Sequence, residues 1–431
     1  MKIAFHTLGC KVNQYETQAM RRLLEQHGID TAEYTPGQPI DGLVVNSCTV
    51  TGESDRKLRQ LLRRARRECP QAVLVLTGCL PQAFPETAQS FAEADIVLGN
   101  AARRALPQHL ERFFLTHQRI VDIPPHDEKI EPLQIDAFAE HTRAFVKIQD
   151  GCDRFCTYCI IPYARGRRRS RTPDDIRQEL TALAAHGYRE VVLVGINLSA
   201  YGQDMGLTVA DAVEAACAVD GIRRVRLGSL EPDLMTDDML ARLAAQKKLC
   251  PQFHIALQSG CDATLHRMNR HYTTAEFMDL CVRLRRTFPG CALTTDVMVG
   301  FPGETDEEFE SSLAFVREVG FARAHVFAYS RRPGTPADRM PQQIEQSVKS
   351  ARSHRMSEIC RQSAHDYAAA QLGSTTDVLL ETPRPDGTTE GYTDTYLTVR
   401  IKTQLPPGTL LPVRIDAVDG DVLIGTAAER P

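Results

Sequence analysis

Three cysteines stand close together near the middle of the chain. Cys152, Cys156 and Cys159 are separated by four and three residues and follow a predicted strand, Phe145–Ile148. A loop of this length can turn three thiolates toward one iron–sulfur cluster, which normally has four such ligands. A [4Fe–4S] cluster held by three cysteines keeps one iron open for an exchangeable ligand. The alternatives are three buried thiols or a zinc knuckle, although no fourth Cys or His stands nearby in the sequence.

A second set of three cysteines is spread over the first eighty residues. Each member follows a predicted strand: Cys10 after Lys2–His6, Cys48 after Gly42–Val45, and Cys79 after Ala72–Leu76. In a parallel sheet the carboxyl ends of all strands meet at one edge, where ligands of open α/β sheets bind. The pattern therefore predicts that the three thiols come together. They form either a second metal site or three small buried side chains at strand ends.

The elements that position these cysteines alternate between short strands and amphipathic stretches, which predicts an α/β protein. Residues 1–123 are expected to form an open parallel α/β sheet, with helices over Gln14–His27 and Ser54–Arg67. From Pro124 to Thr142 the alternation is lost among prolines and charges, and we place a linker at 124–142.

A second alternating series occupies residues 143–371 and predicts an incomplete (β/α)6 barrel, whose strand ends open onto one face. Its six strands are Phe145–Ile148, Val191–Val194, Arg224–Leu227, His254–Leu257, Thr294–Val299 and His325–Ala328.

A long helix is expected over Glu345–Gln371, and the sequence pattern after it changes from helical to strand-like. Residues 372–431 hold strand-like segments separated by turn residues, which predicts a small antiparallel β-barrel. These segments are Thr376–Leu380, Thr395–Ile401, Leu410–Ile415 and Val422–Ile424.

Composition limits the classes of function. The chain has 431 residues, 42% of them hydrophobic, with no apolar run of membrane-spanning length and no signal-peptide pattern near Met1. We expect a cytoplasmic protein with no membrane partner. Thirteen cysteines, an odd number, favour metal or redox chemistry over a disulfide framework. The net charge of −4 excludes a uniformly basic nucleic-acid binder but allows local basic clusters.

Two such clusters are present. Residues Arg56–Arg67 hold seven basic side chains in twelve positions, with the spacing of a helix. These side chains form either a solvated helix face or an RNA contact. The second cluster follows the central cysteines, where basic side chains would place phosphate contacts beside the chemistry. We expect RNA contact from its five arginines: Arg165, Arg167, Arg168, Arg169 and Arg171.

The central cysteine motif, with Tyr158 before its last member, resembles the CxxxCxxC signature of radical S-adenosylmethionine (SAM) enzymes. The resemblance implies that the open iron binds the amino and carboxylate groups of SAM, and that the reduced cluster cleaves SAM to a 5′-deoxyadenosyl radical. The cofactor carries this chemistry, while the protein binds and orients it. Besides Tyr158, the expected cofactor contacts lie at later strand ends: Gly195, Asn197, Ser229, Glu231, Gln258 and Asp296.

The likeness to one family extends from end to end. Besides the central cysteine motif, the motifs that carry it are Thr7–Thr17, Asn46–Thr51, Ser54–Lys57, Thr77–Cys79, Tyr163–Arg167, Leu257–Cys261, Met268–Tyr272, Asp296–Glu304 and Tyr329–Ala337. They resemble the methylthiotransferases, most closely the branch that acts on N6-threonylcarbamoyladenosine beside the tRNA anticodon. The resemblance implies a second [4Fe–4S] cluster on Cys10, Cys48 and Cys79, and the segment from Leu372 resembles the RNA-binding TRAM domain.

The activity implied is methylthiolation of C2 of N6-threonylcarbamoyladenosine at position 37 of tRNA. One SAM would methylate sulfur at the auxiliary cluster, and a second would supply the radical. The implied partners are the anticodon stem-loop of tRNA and an electron donor such as flavodoxin or ferredoxin. Two alternatives keep the chemistry but change the substrate, to isopentenyl-adenosine in tRNA or an aspartate of a ribosomal protein. A third is a non-catalytic iron–sulfur protein that binds RNA or transfers electrons.

Overall fold

The first part of the chain is a parallel sheet of six strands with helices on both faces. The structure, a computed structural model, describes residues 1–137 and 142–429. The elements of this part are β1 (Lys2–Thr7), α1 (Lys11–Gln26), β2 (Asp30–Glu33), β3 (Gly42–Ser47), α2 (Gly52–Glu68), β4 (Val73–Gly78), α3 (Cys79–Ala83), α4 (Pro85–Gln89), β5 (Ile96–Leu98), α5 (Leu106–Thr116) and β6 (Ile120–Asp122).

Alternation along the strands gives this sheet two cores. In β3, Leu43 and Val45 pack on the side covered by α2, while Val44 packs on the side covered by α1 and α5. The strand order is β2-β1-β3-β4-β5-β6, and every pairing is parallel. Strands β1, β3 and β4 are therefore adjacent, and their carboxyl ends share one edge. This confirms the open parallel α/β sheet expected from the sequence.

The central part is a ring of parallel strands and outer helices. Its elements are β7 (Arg143–Lys147), β8 (Gln149–Asp150), α6 (Ile161–Arg165), β9 (Arg169–Ser170), α7 (Pro173–Ala185), β10 (Glu190–Val194), α8 (Val209–Cys217), β11 (Arg224–Leu227), β12 (Ser229–Leu230), α9 (Asp237–Ala244), β13 (Gln252–Ile255), α10 (Asp262–Arg267), α11 (Thr274–Thr287), β14 (Ala292–Val299), α12 (Asp306–Val319), β15 (Arg323–Ala328), α13 (Pro336–Arg339) and α14 (Gln346–Ala369).

The parallel strands of the central part form two arcs, β7-β10-β11 and β12-β13-β14-β15. A parallel bridge between Val225 and Leu249 links β11 to the residues that lead into β13. The two arcs contain all six strands expected from the sequence and form the incomplete barrel. Helices α11 and α12 each begin with a capping box, from Thr273 with Glu276 and from Thr305 with Glu308.

The last part is a closed five-stranded barrel: β16 (Thr375–Pro383), β17 (Thr388–Thr393), β18 (Thr398–Lys402), β19 (Leu410–Asp419) and β20 (Val422–Ala427). This confirms the small barrel expected from the sequence, in which antiparallel pairing was predicted. The pair β18–β20 is instead parallel, which closes the barrel. Strand β17 was not predicted, because its sequence, Thr-Thr-Glu-Gly-Tyr-Thr, lacks the apolar alternation of a strand.

The predicted linker packs against both neighbouring parts of the chain. Glu131 pairs with buried Arg103 at 2.9 Å, and the hydroxyl of Tyr15 donates to the carbonyl of Leu133 at 2.6 Å. The amide of Ile135 donates to Glu179 of α7 at 2.7 Å. Within the predicted linker, residues 138–141 lie outside the described residues. Throughout the described chain, no helix combines the length and apolar character needed to cross a membrane.

Candidate active site

The central cysteines lie on a loop between β8 and α6. The amide of Cys152 donates to the carbonyl of Gly166 at 3.0 Å, and the amide of Cys159 donates to the carbonyl of Cys156 at 2.9 Å. Burial is the main cause that raises the pKa of Cys152 to about 11 and that of Cys159 to about 12, and the neighbouring Cys156 contributes to both increases. The three thiols are thus close enough to act on one another, as the sequence predicted.

Gly151 fixes the start of this loop. Its φ is +76°, and a Cβ at this position would lie 1.9 Å from the carbonyl oxygen of Arg167. Two strands of backbone therefore approach each other at a distance that only glycine allows.

Replacing Gly151 with alanine should destabilise the fold by more than about 3 kcal/mol, because the backbone clash adds to the unfavourable φ. The matched control is Gly187→Ala, since Gly187 also has a positive φ of +91° but no atom within 4 Å of its added Cβ. The control should lose only about 1–2 kcal/mol. Urea unfolding of both variants measures the difference, and equal losses would show that the close approach is unimportant.

An arginine that sequence reasoning missed stands beside the central thiols. Buried Arg270 places Nη1 3.2 Å from Cys156 Sγ, and its Nε donates to the hydroxyl of Tyr272 at 3.1 Å. Its other terminal nitrogen pairs with Glu231, one of the expected cofactor contacts. Arg270 and Tyr272 belong to the motif Met268–Tyr272, whose only signal in the sequence was the family resemblance.

The expected cofactor contacts lie around the central cysteines and one neighbouring cavity. Asn197 Nδ2 lies 3.8 Å from Cys152 Sγ, and partly buried Tyr158 packs edge-on against Phe301. Asn197 Oδ1 and Gln258 Oε1 are buried acceptors that lack a protein donor among the described residues. Since a buried acceptor without a partner is costly, both are suited to a polar ligand such as SAM. Three further contacts line the cavity: Gly195, Ser229 and Asp296.

The amino-terminal cysteines also come together, at the carboxyl ends of β1, β3 and β4. A Cβ added at Gly9 would lie 2.9 Å from Cys48 Cβ, so the loop before Cys10 lies directly on Cys48. Burial raises the pKa of Cys79 to about 12; nearby Arg165 lowers this pKa, while Cys48 and Cys10 raise it. Cys10 is the exposed member and lines the same cavity as Gly195.

Both sets of thiols fit an iron–sulfur cluster by their chemistry, because each offers three mutually close sulfur donors. Within residues 1–137 and 142–429, no three His, Cys, Asp or Glu side chains are grouped as ligands of a single metal ion. A [4Fe–4S] cluster takes one thiolate at each of several irons, so its ligands do not have to converge on one point.

A buried ion network joins the two sets of cysteines. Arg165 donates from Nε to Cys79 Sγ at 3.2 Å and from Nη2 to Asn13 Oδ1 at 3.1 Å, and it pairs with buried Glu16. Glu16 also accepts from Lys147 Nζ at 2.9 Å.

The network continues to the central loop. Lys147 pairs with Asp150 at 3.2 Å, and Asp150 Oδ1 accepts from the amide of Gly151 at 2.9 Å. Burial pushes the pKa of Glu16 upward, but the cations Arg103, Arg165 and Lys147 outweigh it and hold that pKa well below its ordinary value. Glu16 therefore remains a carboxylate and holds the two halves of the site together.

The structure corrects the prediction that all five clustered arginines contact RNA. Arg165 is fully buried in the network, and Arg171 is buried against Glu179. Arg169 is largely covered and donates to the carbonyls of Asp127 and Arg165. Their charges are satisfied inside the protein, since a buried guanidinium requires a partner.

Two arginines of the cluster remain at the surface. The side chains of Arg167 and Arg168 are 84% and 40% exposed. Beside them, Phe155 and Tyr163 form an exposed edge-to-face pair, with ring centroids 6.2 Å apart. An exposed aromatic pair next to arginines is suited to stacking unpaired bases.

The central part has the architecture of radical SAM enzymes. Residues 146–316 match the radical SAM superfamily, and residues 2–99 match the uncharacterized protein family UPF0004. The fold is similar to that of a radical SAM methyltransferase, TsrM, from Kitasatospora setae, with a TM-score of 0.59 at 15% identity over 78% of this chain and 75% of that one.

Three relatives define the family. The threonylcarbamoyladenosine tRNA methylthiotransferase MtaB of Bacillus subtilis is 39% identical over 96% of this chain and 93% of its own. MtaB of Thermotoga maritima is 35% identical, with coverages of 97% and 98%. A tRNA-2-methylthio-N(6)-dimethylallyladenosine synthase of Pelotomaculum thermopropionicum is 34% identical, with coverages of 88% and 86%.

The chain therefore belongs to the radical SAM tRNA methylthiotransferase family. It is an enzyme whose cofactors are SAM and two [4Fe–4S] clusters.

Proposed function

We propose that this enzyme methylthiolates C2 of N6-threonylcarbamoyladenosine at position 37 of tRNA. The observation that carries the proposal is a cavity shared by the amino-terminal triad and the central part of the chain. Cys10 lines this cavity together with Gly195, Ser229 and Asp296, which the sequence predicted as cofactor contacts. A base bound there would meet sulfur from one side and a radical source from the other. Relatives named for this substrate reach 39% identity over 96% of the chain.

In this proposal the two triads have separate roles. Cys152, Cys156 and Cys159 ligate the cluster that cleaves SAM, while Cys10, Cys48 and Cys79 hold the auxiliary cluster from which the methylthio group is delivered. The chemistry supplied by the loaded site is removal of the C2 hydrogen and its replacement by S–CH3. A radical route suits this position, because an adenine C2–H offers no acidic proton to a general base.

The protein's own residues bind and orient the reactants. Asn197 and Gln258 offer free acceptors to SAM, and Arg270 holds Glu231 beside the Cys156 thiol. We assign residues 1–123 to the auxiliary cluster, 143–371 to SAM cleavage and 372–431 to RNA holding, joined by the segment 124–142. The tRNA is held by its anticodon stem-loop, and a flavodoxin or ferredoxin supplies the electrons.

Nucleoside mass spectrometry of tRNA tests the proposal. A strain lacking the gene should lose 2-methylthio-N6-threonylcarbamoyladenosine and accumulate its precursor, and the wild-type gene should restore the product. Loss of the dimethylallyl methylthio nucleoside instead would assign the enzyme to that substrate. Unchanged tRNA with a changed ribosomal protein would reject tRNA as the substrate.

The surface arginines should contribute to RNA binding. Replacing Arg167 and Arg168 together with glutamine should weaken binding of the anticodon stem-loop and reduce the slope of log K against log salt by about 1 to 2, since each phosphate contact releases counterions. The control variant is Arg317→Gln with Arg355→Gln, on the outer helices α12 and α14, which should leave the slope unchanged. Fluorescence anisotropy at several salt concentrations measures both. An unchanged slope in the first variant would remove these arginines from the RNA interface.

A further inference from the structure

The cavity beside Cys10 is lined by more positively charged side chains than the carboxylates around it can neutralise. It has a volume of about 430 Å³ and lies among α1, the inner strands of the central part and the C-terminal barrel. Its cationic lining residues are Lys11 and Arg323, with His254 and His325 beside them, and its acidic lining residue is Asp296. Asp296 is already engaged, since its carboxylate lies 3.3 Å from His254 Nε2.

Neither Lys11 nor Arg323 has an ion-pair partner within residues 1–137 and 142–429. Nearby Arg143 and Arg226 are different, because they pair with Glu381 at 2.6 Å and Glu190 at 3.1 Å. Lys11 is partly buried and Arg323 is exposed at the cavity. Two cations without a carboxylate partner on one cavity favour an anionic ligand.

The groups of the cavity also act on one another. Burial lowers the pKa of His325; Asp296 raises it, and Arg323, His254 and Lys11 lower it further. Arg323 of β15 and Lys11 of α1 therefore both act electrostatically on His325, although they lie in different parts of the chain.

Aromatic rings hold Lys11 in place. Its Nζ lies 5.8 Å from the ring centroid of Phe145 and 5.9 Å from that of Tyr396, so its stem is positioned by two elements. Tyr396 comes from the C-terminal barrel, where it stacks on Tyr392 at 4.9 Å. Lys11 directly follows Cys10, a proposed ligand of the auxiliary cluster.

The chemistry of the candidate substrates differs in charge. The threonylcarbamoyl group ends in a carboxylate that is ionised at neutral pH, whereas a dimethylallyl group is uncharged and apolar. C2 and the N6 substituent lie on the same Watson–Crick edge of adenine, on either side of N1. A base that presents C2 to the sulfur near Cys10 therefore directs its N6 substituent toward neighbouring side chains.

We propose that Lys11 and Arg323 form a carboxylate-binding subsite that selects the threonylcarbamoyl group of the substrate over uncharged N6 substituents. This inference rests on the proposed function and deepens it. The pair supplies charge-assisted hydrogen bonds to the carboxylate. An uncharged substituent would make neither bond and would leave partly buried Lys11 without a counter-charge.

Lys11→Met tests the subsite, because methionine keeps an unbranched stem between the two rings and removes the charge. The substrates are anticodon stem-loops that carry N6-threonylcarbamoyladenosine, its carboxamide analogue or N6-dimethylallyladenosine. We expect kcat/KM for the carboxylate substrate to fall about 10- to 100-fold, with little change for the carboxamide. Arg323→Met should act in the same direction, and Lys11→Arg should restore much of the loss. The control, Lys247→Met, removes an exposed charge elsewhere and should change none of the values.

Anisotropy measurements with the same stem-loops provide a readout apart from turnover. Binding of the carboxylate stem-loop should weaken in Lys11→Met, and binding of a stem-loop with unmodified adenosine should not. Equal losses on all RNAs, with a smaller salt slope, would show that Lys11 contacts a phosphate and would overturn the subsite. An unchanged preference for carboxylate over carboxamide would also overturn it. Failure of the proposed function looks different, since the wild-type enzyme would then methylthiolate none of the threonylcarbamoyl substrates.

Discussion

Replacing Cys156 with alanine should abolish SAM cleavage, whereas replacing Cys48 with alanine should leave SAM cleavage intact but uncoupled from methylthiolation. Cys156 is buried between Cys152 and Cys159 and receives the hydrogen bond from Arg270. Its loss removes one of three proposed ligands and leaves the remaining two unable to hold the cluster. Cys48 lies in the separate triad, so its loss affects the delivery of sulfur alone.

An anaerobic assay with reconstituted protein separates the two outcomes. The 5′-deoxyadenosine formed measures SAM cleavage, and nucleoside mass spectrometry measures the methylthio product. We expect about four irons per chain in each variant, against about eight in the wild type, since each keeps one intact [4Fe–4S] site. The matched control is Cys281→Ala, because Cys281 is a buried thiol in the core of α11, outside both triads. If Cys48→Ala still made product, or Cys156→Ala still made 5′-deoxyadenosine, the assignment of the two triads would be wrong.

The second large effect is on folding. Glu16→Gln should lower the free energy of unfolding by about 3–5 kcal/mol, because it leaves Arg103, Arg165 and Lys147 buried around a neutral amide. The control is Glu53→Gln, at an exposed pair with Arg56, which should have no measurable effect. Urea unfolding of the three proteins gives the comparison.

The pH dependence of this difference follows from the pKa of Glu16. Its pKa is held well below the ordinary value of 4.5 in the folded protein, so the carboxylate stabilises the fold fully above that value. The stabilisation is lost as pH falls toward the folded-state pKa. The gap between wild type and Glu16→Gln should therefore be constant between about pH 6 and 8 and shrink below about pH 4.5. A gap that grew on acidification would contradict the charged role of Glu16.

Arg165 links the buried ion network, which stabilises the fold, to a thiol of the amino-terminal triad. Its guanidinium contacts Cys79 Sγ. Arg165 itself is the last residue of α6, the helix that directly follows the central cysteine loop. Arg270 makes the equivalent contact with Cys156 Sγ at the other triad. Each set of thiols thus has one buried arginine hydrogen-bonded to a sulfur, a contact that stabilises negative charge on that sulfur.

Much of the site was predictable because its signals are local. Spacing alone placed Cys152, Cys156 and Cys159 together, and the alternation of strands and helices placed Cys10, Cys48 and Cys79 at one sheet edge. The six central strands also followed from local patterns of apolar residues. The assignment of these cysteines to clusters remains a prediction that the iron and product measurements above address.

The arginines after the central motif show where local signals fail. Five arginines in seven positions predicted an RNA-binding surface, yet Arg165 and Arg171 are buried. Their partners, Glu16 and Glu179, belong to other elements, and Glu16 is 149 positions away. The sequence of an arginine-rich segment does not indicate which of its arginines pair with a carboxylate from a distant part of the chain. Only Arg167 and Arg168 keep the exposure that phosphate contact requires.

The sequence by itself determined the donor atoms and the order of elements: two triads of thiols, a parallel sheet, an incomplete barrel and a small C-terminal barrel. The tertiary structure alone decided how these parts meet. It brought Lys11 of the first helix, Arg323 of the last central strand and Tyr396 of the C-terminal barrel to one cavity beside Cys10. The reason is physical, because whether a charge is paired, buried or left free for a ligand depends on residues hundreds of positions apart in the chain.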